Sequence, residues 1–169
     1  AGAFSPDILK AMAELNDNPI VFALSNPTDN SECTAREAYN WTQGRAVFAS
    51  GSPFGPVKLQ GQSHHPGQGN NVYIFPAMGL ATTACGITRI TQEMFLAAAR
   101  ALSGLVSEKS LNKGSVYPPL SDIRHVTLTI AVAVAELAYN RGLASRPQPD
   151  DLKKYIQSNM FEPVYEIYV

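Results

Sequence analysis

Charge is scarce in this sequence and neither sign prevails. Asp, Glu, Lys and Arg make up 16% of the 169 residues, and 13 basic side chains stand against 14 acidic ones for a net charge of −1. Such a chain has no positive field with which to hold a phosphate backbone, which argues against nucleic acid as a partner. Cysteine occurs twice, as Cys33 and Cys85, with no C-x-x-C pair and no histidine at a metal-ligand spacing from either. That pattern fits two reduced, buried thiols in a soluble intracellular protein, with cytoplasm and organelle equally open. No apolar run reaches the roughly 18 residues that a membrane-spanning helix needs, and no stretch has the layout of a cleaved targeting peptide. The chain opens on Ala1-Gly2-Ala3 without an initiator methionine, so it is expected to begin inside a longer protein. The familiar catalytic and phosphate-binding signatures are missing too. Nothing matches G-x-G-x-x-G after a strand: Gly67-Gln68-Gly69 lacks both a preceding strand and a third glycine. Gly51-Ser52-Pro53 is no nucleophile elbow, because the second glycine is absent and Pro53 removes an amide that an oxyanion hole would use.

What is present reads as an ordinary globular domain. Apolar residues make up 45%, enough for a chain of this length to bury about two thirds of its unfolded surface. Ser5-Pro6-Asp7 has the composition of a helix start, with Ser as cap, Pro in the first turn and Asp facing the dipole. Ile8, Leu9, Met12 and Leu15 follow at helical spacing, and Asn16-Asp17-Asn18-Pro19 ends the pattern. Ile20-Val21-Phe22-Ala23-Leu24 is a short, continuously apolar run, as in a parallel strand covered on both faces. It stops abruptly at Ser25-Asn26-Pro27-Thr28. The order then repeats. Thr34-Ala35-Arg36-Glu37 is a capping box, its helix runs to about Gln43 with Gly44 as left-handed stop, and Ala46-Val47-Phe48-Ala49 forms a second strand. Helix and strand alternating through tight connections is the grammar of an open α/β sheet. Two strands are too few for a stable sheet by themselves, so more sheet is expected upstream.

Residues 54–69, rich in Gly, Pro and Gln, predict a loop or short hairpin around Val57-Lys58-Leu59. Helices dominate beyond it. The first runs from Val72 to about Cys85 and is apolar nearly all round. A second is capped by Thr91, carries Met94, Phe95, Ala98, Leu102 and Leu105, and ends near Ser107. Residues 110–117 form a connection, broken by Pro118-Pro119. The longest helix opens at Ser121 or Asp122, and its wide apolar face through Ile123, Val126, Ile130, Val134 and Leu137 calls for burial against several neighbours. After the linker Arg146-Pro147-Gln148-Pro149, a short helix runs from Asp150 to about Met160. Residues 161–169 are expected to lie on the body of the protein or on a partner chain.

Two places suit a ligand. Asn26 lies just past the carboxyl end of a buried strand, the edge where open α/β sheets bind ligands. Its amide can donate to a carboxylate or a carbonyl without a charge to desolvate, although Asn-Pro also simply begins turns. Gly69-Asn70-Asn71 precedes the apolar helix, whose free amides favour an anion, although Asn is equally a common helix cap. The local sequence leaves both pairs of readings open. His64-His65 reads as a solvated loop pair, because adjacent side chains seldom point the same way and no carboxylate is near in sequence. His125 reads as a surface or interface residue.

Several long motifs, in order, carry a family resemblance. Phe22-Ala23-Leu24-Ser25-Asn26-Pro27-Thr28, then Glu32-Cys33-Thr34-Ala35 and Ala38-Tyr39, are similar to the malic enzymes. So are Phe48-Ala49-Ser50-Gly51-Ser52-Pro53-Phe54, the stretch from Pro66-Gly67-Gln68-Gly69-Asn70-Asn71 through Val72-Tyr73-Ile74-Phe75-Pro76, and Tyr117-Pro118-Pro119-Leu120 with Ile123-Arg124. The likeness spans nearly the whole chain. It departs at Ala77-Met78, where the family usually has Gly after the proline, and over residues 162–169. The resemblance implies oxidative decarboxylation of (S)-malate to pyruvate and CO2, with NAD or NADP and a Mg or Mn ion, in a homo-oligomer that is usually a tetramer. It also implies a fold class: α/β, the carboxy-terminal part of a Rossmann-like dinucleotide-binding domain with few parallel strands, followed by a helix-rich region. Residues 1–70 would close the dinucleotide-binding domain, 71–142 would belong to a central domain, and 143–169 would form a small terminal domain or tail. Asn26, Asn70 and Asn71 would bind substrate, with Asn26 and Asn70 also near the nicotinamide. The family's tyrosine acid, lysine base, acidic metal ligands and glycine-rich coenzyme loop would all lie upstream. No catalytic residue is therefore expected in this chain, and alone it should be inactive. A non-catalytic interaction module on the same scaffold, or an unrelated nucleotide-binding α/β protein, are the alternatives.

Overall fold

A computed structural model describes residues 1–163; the expectation for the last residues therefore falls, over 164–169, outside the described residues. The chain divides into two compact units. The first comprises residues 1–71 and 103–119, the second residues 72–102 and 120–169.

In the first unit, Ser5 caps α1 (Pro6–Leu15) by accepting from the Ile8 amide at 3.4 Å. Strand β1 (Ile20–Ala23) follows, then a 3-10 turn (Thr28–Asn30) and α2 (Ala35–Trp41). The capping box of α2 is closed both ways: the Glu37 amide donates to Thr34 Oγ1 at 3.2 Å, and the Thr34 amide donates to Glu37 Oε2 at 2.8 Å. This helix stops short of the expected Gln43. Thr42 turns its hydroxyl back onto the Ala38 carbonyl at 2.7 Å, and the chain enters the left-handed region at Gln43, one residue before Gly44. Strand β2 (Val47–Ser50) pairs in parallel with β1. A third parallel strand, β5 (Gly67–Gln68), lies on the other side of β2, so the sheet order is β1-β2-β5. Strand β5 was not expected, because two residues of Gly and Gln carry no apolar signal.

Between β2 and β5 the expected hairpin forms from β3 (Val57–Leu59) and β4 (Gln62–His64). Gln60 and Gly61 both take positive φ at its turn, the conformation that a tight two-residue hairpin demands. Leu9, Val21, Ala38, Tyr39 and Phe48 are buried together as the core between the helices and the sheet. One face of β1 supplies Val21 and Ala23 to this core, whereas on the other face Ile20 and Leu24 are exposed and Phe22 is half-buried beside Tyr117. The expected burial of both faces therefore does not hold for β1 among the described residues.

The second unit is helical. The chain enters it through a 3-10 turn (Asn71–Tyr73), and α3 (Phe75–Cys85) begins later than Val72, where the sequence placed its start. Ala77, Ala81, Ala84 and Cys85 are buried against α6 (Ile123–Asn140), and Gly86 ends α3 in the left-handed region. The departures Ala77 and Met78 are both buried in this helix. Helix α4 (Gln92–Gly104) starts just after Thr91, whose carbonyl accepts from the Met94 amide at 3.1 Å. The chain then returns to the first unit, where the expected bare connection over residues 110–117 begins inside a helix. Ser107 caps a single-turn helix, α5 (Glu108–Leu111), too short to show periodicity in sequence. The long helix α6 buries Val126, Ile130, Ala131, Val134 and Ala138. The last helix, α7 (Leu152–Ser158), is capped by Asp151 rather than Asp150 and packs on both α6 and α3. Tyr155 ties it there by donating to the Ala84 carbonyl at 2.8 Å. Among the described residues, no helix is long and apolar enough to cross a membrane.

Candidate functional site

Because β1, β2 and β5 are parallel, their carboxyl ends form one edge of the first unit's sheet. Asn26 follows β1, Ser52 follows β2, and Asn70 and Asn71 follow β5. Adjacent strands are about 4.8 Å apart, so the chain ends that flank β2 leave the sheet about 10 Å from each other. The sheet thus brings the three asparagines singled out from the sequence to a single edge, and all three are exposed there.

The Asn26 side chain is held in one orientation. Ser52 Oγ donates to its Oδ1 at 2.6 Å, which leaves the amide Nδ2 free to donate, with no acceptor among the described residues. The Asn26 carbonyl accepts from Asn30 Nδ2 at 3.3 Å, and the Asn26-Pro27 bond is cis. Neighbouring backbone is anchored by Glu32. Its carboxylate accepts from both the Ser25 hydroxyl and the Ser25 amide, the latter at 3.3 Å. The Ser25 hydroxyl bond, with help from backbone amides, holds the Glu32 carboxyl below its ordinary pKa. The other side of this loop is pinned by the amino-terminal segment, where the Gly2 amide donates to the Ser31 carbonyl and the Phe4 amide to the Glu32 carbonyl, both at 3.0 Å.

Gly51 makes the approach between β1 and β2 possible. A Cβ at this position would lie 2.3 Å from the Leu24 carbonyl oxygen and 2.9 Å from each terminal atom of the Asn26 amide. Beyond β5, the Gly69 amide donates to the Ser50 carbonyl at 2.8 Å and Gln68 Nε2 donates to the Gly51 carbonyl at 3.2 Å. These bonds fix the chain that presents Asn70 and Asn71. Asn71 opens a 3-10 turn and is not the cap of α3, whose N-cap position is Ile74. Tyr117 packs over β5. Its ring carbon sits 3.4 Å from where a Gly67 Cβ would be, its hydroxyl 3.3 Å from that of Gly69, and burial raises its pKa.

Glu32, Gly51, Ser52 and Tyr117 were therefore missed as site residues when the sequence was read alone. Gly51-Ser52 was the available signal, since a Gly-Ser-Pro run closing a buried strand at the ligand edge is as well placed as Asn26. Neither histidine of the His64-His65 pair is at this edge. The expectation of a solvated pair holds for exposed His65, while His64 is half-buried and stacks on Tyr39 at 4.6 Å. The correction has a simple cause: β4 aims alternate side chains to opposite faces, so one of two neighbours must turn inward. His125 is exposed on α6. Among the described residues, no three His, Cys, Asp or Glu side chains converge as a metal ion would need.

The arrangement offers amide donors, a fixed serine, a half-buried tyrosine and the Glu32 carboxylate already engaged by Ser25, with no metal-ligand cluster among the described residues. The family model described as "Malic enzyme, NAD binding domain" matches residues 1–139. The chloroplastic NADP-dependent malic enzyme of Oryza sativa subsp. japonica is 52% identical over 166 residues, covering 98% of this chain and 26% of that protein. The NADP-dependent malic enzyme of Anas platyrhynchos is 50% identical over 170 residues, covering 99% and 30% respectively. This chain thus spans less than a third of the length of those relatives. Among solved structures, the malic enzyme of Pyrococcus horikoshii matches with a TM-score of 0.69 at 25% identity, over 94% of this chain and 31% of that one. That of Entamoeba histolytica matches in fold with a TM-score of 0.73 at 22% identity, over 94% and 29%.

Proposed function

Because this chain belongs to the malic enzyme family, we propose that it forms part of an enzyme that oxidatively decarboxylates (S)-malate to pyruvate and CO2 while reducing NAD or NADP. Within that enzyme, Asn26, Asn70 and Asn71 hold the substrate carboxylate, and Asn26 and Asn70 also border the nicotinamide. Residues 1–70 close its dinucleotide-binding domain, 71–142 belong to a central domain, and 143–169 form a small terminal domain or tail. The observation that carries this reading is the shared sheet edge, where β1 and β5 present amides on either side of β2.

Each residue's part follows from its geometry. A carboxylate is an acceptor only, and an asparagine Nδ2 can donate to it without a cation to desolvate. Ser52 occupies Asn26 Oδ1, so the amide meets an anion with its donor side and not with its acceptor. Glu32 and the amino-terminal segment hold the loop, so that little is lost in ordering it when substrate binds. Gly51 provides the space. The donor set fits an acid or a carboxamide, and the coenzyme, when bound, supplies the hydride acceptor. The one carboxylate placed here, Glu32, is held by Ser25 with a lowered pKa, so no proton-transfer role is assigned to it. The described residues offer no metal set, and no step is assigned to an ion through them. On this reading the isolated chain does not turn over malate, and the site is completed by the longer protein.

The test is substitution in that longer protein. An amide bonded to a carboxylate contributes about 1.5–3 kcal/mol, so Asn71→Ala should raise the malate KM or lower kcat by roughly 10- to 100-fold. Asn26→Ala should act in the same direction and also raise the KM for the coenzyme. Steady-state constants at wild-type values in both variants would remove the proposed role.

A further inference from the structure

The first unit has a second cleft, at the opposite end of the sheet from the asparagines. It encloses about 510 Å³ beside the residues that lead into β1 and β2, and its lining includes Tyr39, Gln43, Arg45, Gln62, His64 and Lys113. The lining contains two permanent cations and no carboxylate. Arg45 is fixed in place, donating to the carbonyls of Ala13 at 2.8 Å, Asn16 at 3.1 Å and Asp17 at 3.2 Å. A guanidinium has five N–H donors, so some remain for a ligand. Lys113 is exposed and has no ion-pair partner among the described residues.

Tyr39 is the informative residue. It is 1% exposed, and its ring lies between Phe48 at 6.0 Å and His64 at 4.6 Å. Its hydroxyl has no hydrogen-bond partner among the described residues, and burial pushes its pKa up to about 12. The hydroxyl is not sealed in the core: among the described residues the buried hydroxyl without a partner is that of Thr82, whereas Tyr39 lines the cleft. The wall that encloses it is also specifically built. Gly44 has φ +77°, and a Cβ there would come within 3.0 and 3.1 Å of the His64 ring, so glycine is what lets His64 lie over Tyr39.

We propose that this cleft is a second ligand site, taking a small oxyanion of two or more negative charges. Lys113 and Arg45 supply the attraction, the Gln43 and Gln62 amides orient the oxygens, and the Tyr39 hydroxyl donates to one of them. The site is independent of the malate edge.

Calorimetric titration of the full chain with inorganic phosphate, and separately with citrate, tests the proposal against sodium chloride at matched ionic strength. Saturable binding of phosphate alone assigns a phosphorylated ligand, and of citrate alone a polycarboxylate. Lys113→Gln, an exposed change that leaves the fold intact, should weaken the binding about tenfold, as expected for losing a charge-assisted bond. Tyr39→Phe should weaken it about fivefold, the value of one neutral hydrogen bond, while the thermal midpoint without anion stays level or rises. Asn71→Ala should leave the affinity unchanged. Heats that chloride reproduces, or equal affinity in the wild type and Lys113→Gln, would overturn the proposal. So would binding that is lost in Asn71→Ala and kept in Lys113→Gln, because the anion would then sit at the malate edge.

Discussion

Replacing Gly51 with alanine should damage both stability and substrate binding, and the structure says by how much. Gly51 is buried, and its amide extends the ladder by donating to the Ala23 carbonyl at 3.0 Å. The new methyl carbon would lie 2.3 Å from the Leu24 carbonyl oxygen, far inside any ordinary contact. That oxygen cannot swing away as a side-chain tip could. It follows β1 directly, and the next residue is tied by hydroxyl and amide to Glu32. Overpacking of this kind costs about 1–3 kcal/mol, and an immovable backbone partner points to the upper end. With a urea dependence of about 1–3 kcal/mol per molar, the unfolding midpoint should fall by roughly 1 M or more. The same methyl would lie 2.9 Å from both ends of the Asn26 amide, so that amide must also shift. Urea denaturation followed by circular dichroism measures the first effect, and malate steady-state kinetics in the longer protein the second. Gly55→Ala is the control: nothing lies within 4 Å of its added carbon, and a change within about 0.5 kcal/mol is expected. If Gly51→Ala melts with the wild type and keeps its malate KM, the reasoning about this edge is wrong.

Other predictions concern groups nearby. Glu32 has a depressed pKa in the folded protein, so its contribution to stability is fully present above the ordinary glutamate range and is lost as pH falls through the lowered value. Glu32→Gln should flatten that acid limb, which acid titration of the unfolding midpoint would reveal; an unchanged limb would deny the Ser25 bond its role. The Cys33 thiol is raised to about 11 by burial and then by Glu37 and Glu32, and burial likewise raises Cys85. Both should resist a thiol reagent at pH 8 until the protein is denatured, and rapid native labelling of either would contradict the packing described. In the helical unit, Ile130 is fully buried on α6, and Ile130→Ala should cost about 2–5 kcal/mol in a chemical denaturation experiment. A loss under 1 kcal/mol would mean that Ile130 is not held in a tightly packed core.

What the sequence by itself determined was everything governed by neighbours along the chain. Ser5 and the Thr34–Glu37 box fixed two helix starts, because caps act on amides within one turn. The apolar runs at Ile20 and Val47 announced the two parallel strands, although β1 turns Ile20 away from the core and leaves it exposed. The place of Asn26 at the carboxyl edge of the sheet could be read from its position after the first of these. Motifs in order around Asn26, Gly51 and Asn71 were enough to suggest the family.

Tertiary structure decided what depends on residues distant in the sequence. Strand β5 exists only because β2 offers it an edge to pair with; Gly67 and Gln68 have no strand propensity of their own. The need for glycine at position 51 arises from the Leu24 carbonyl, and the direction of the Asn26 amide from Ser52, each a partner from another strand's loop. Tyr117 reaches β5 from the segment between α5 and α6, and His64 turns inward because Tyr39 lies beneath it. Periodicity and capping report local preference, whereas a binding edge is made by strands that meet only after folding. For that reason the asparagines' positions after the strands could be read from the sequence, but the Ser52 and Gly51 contacts that orient Asn26 could not.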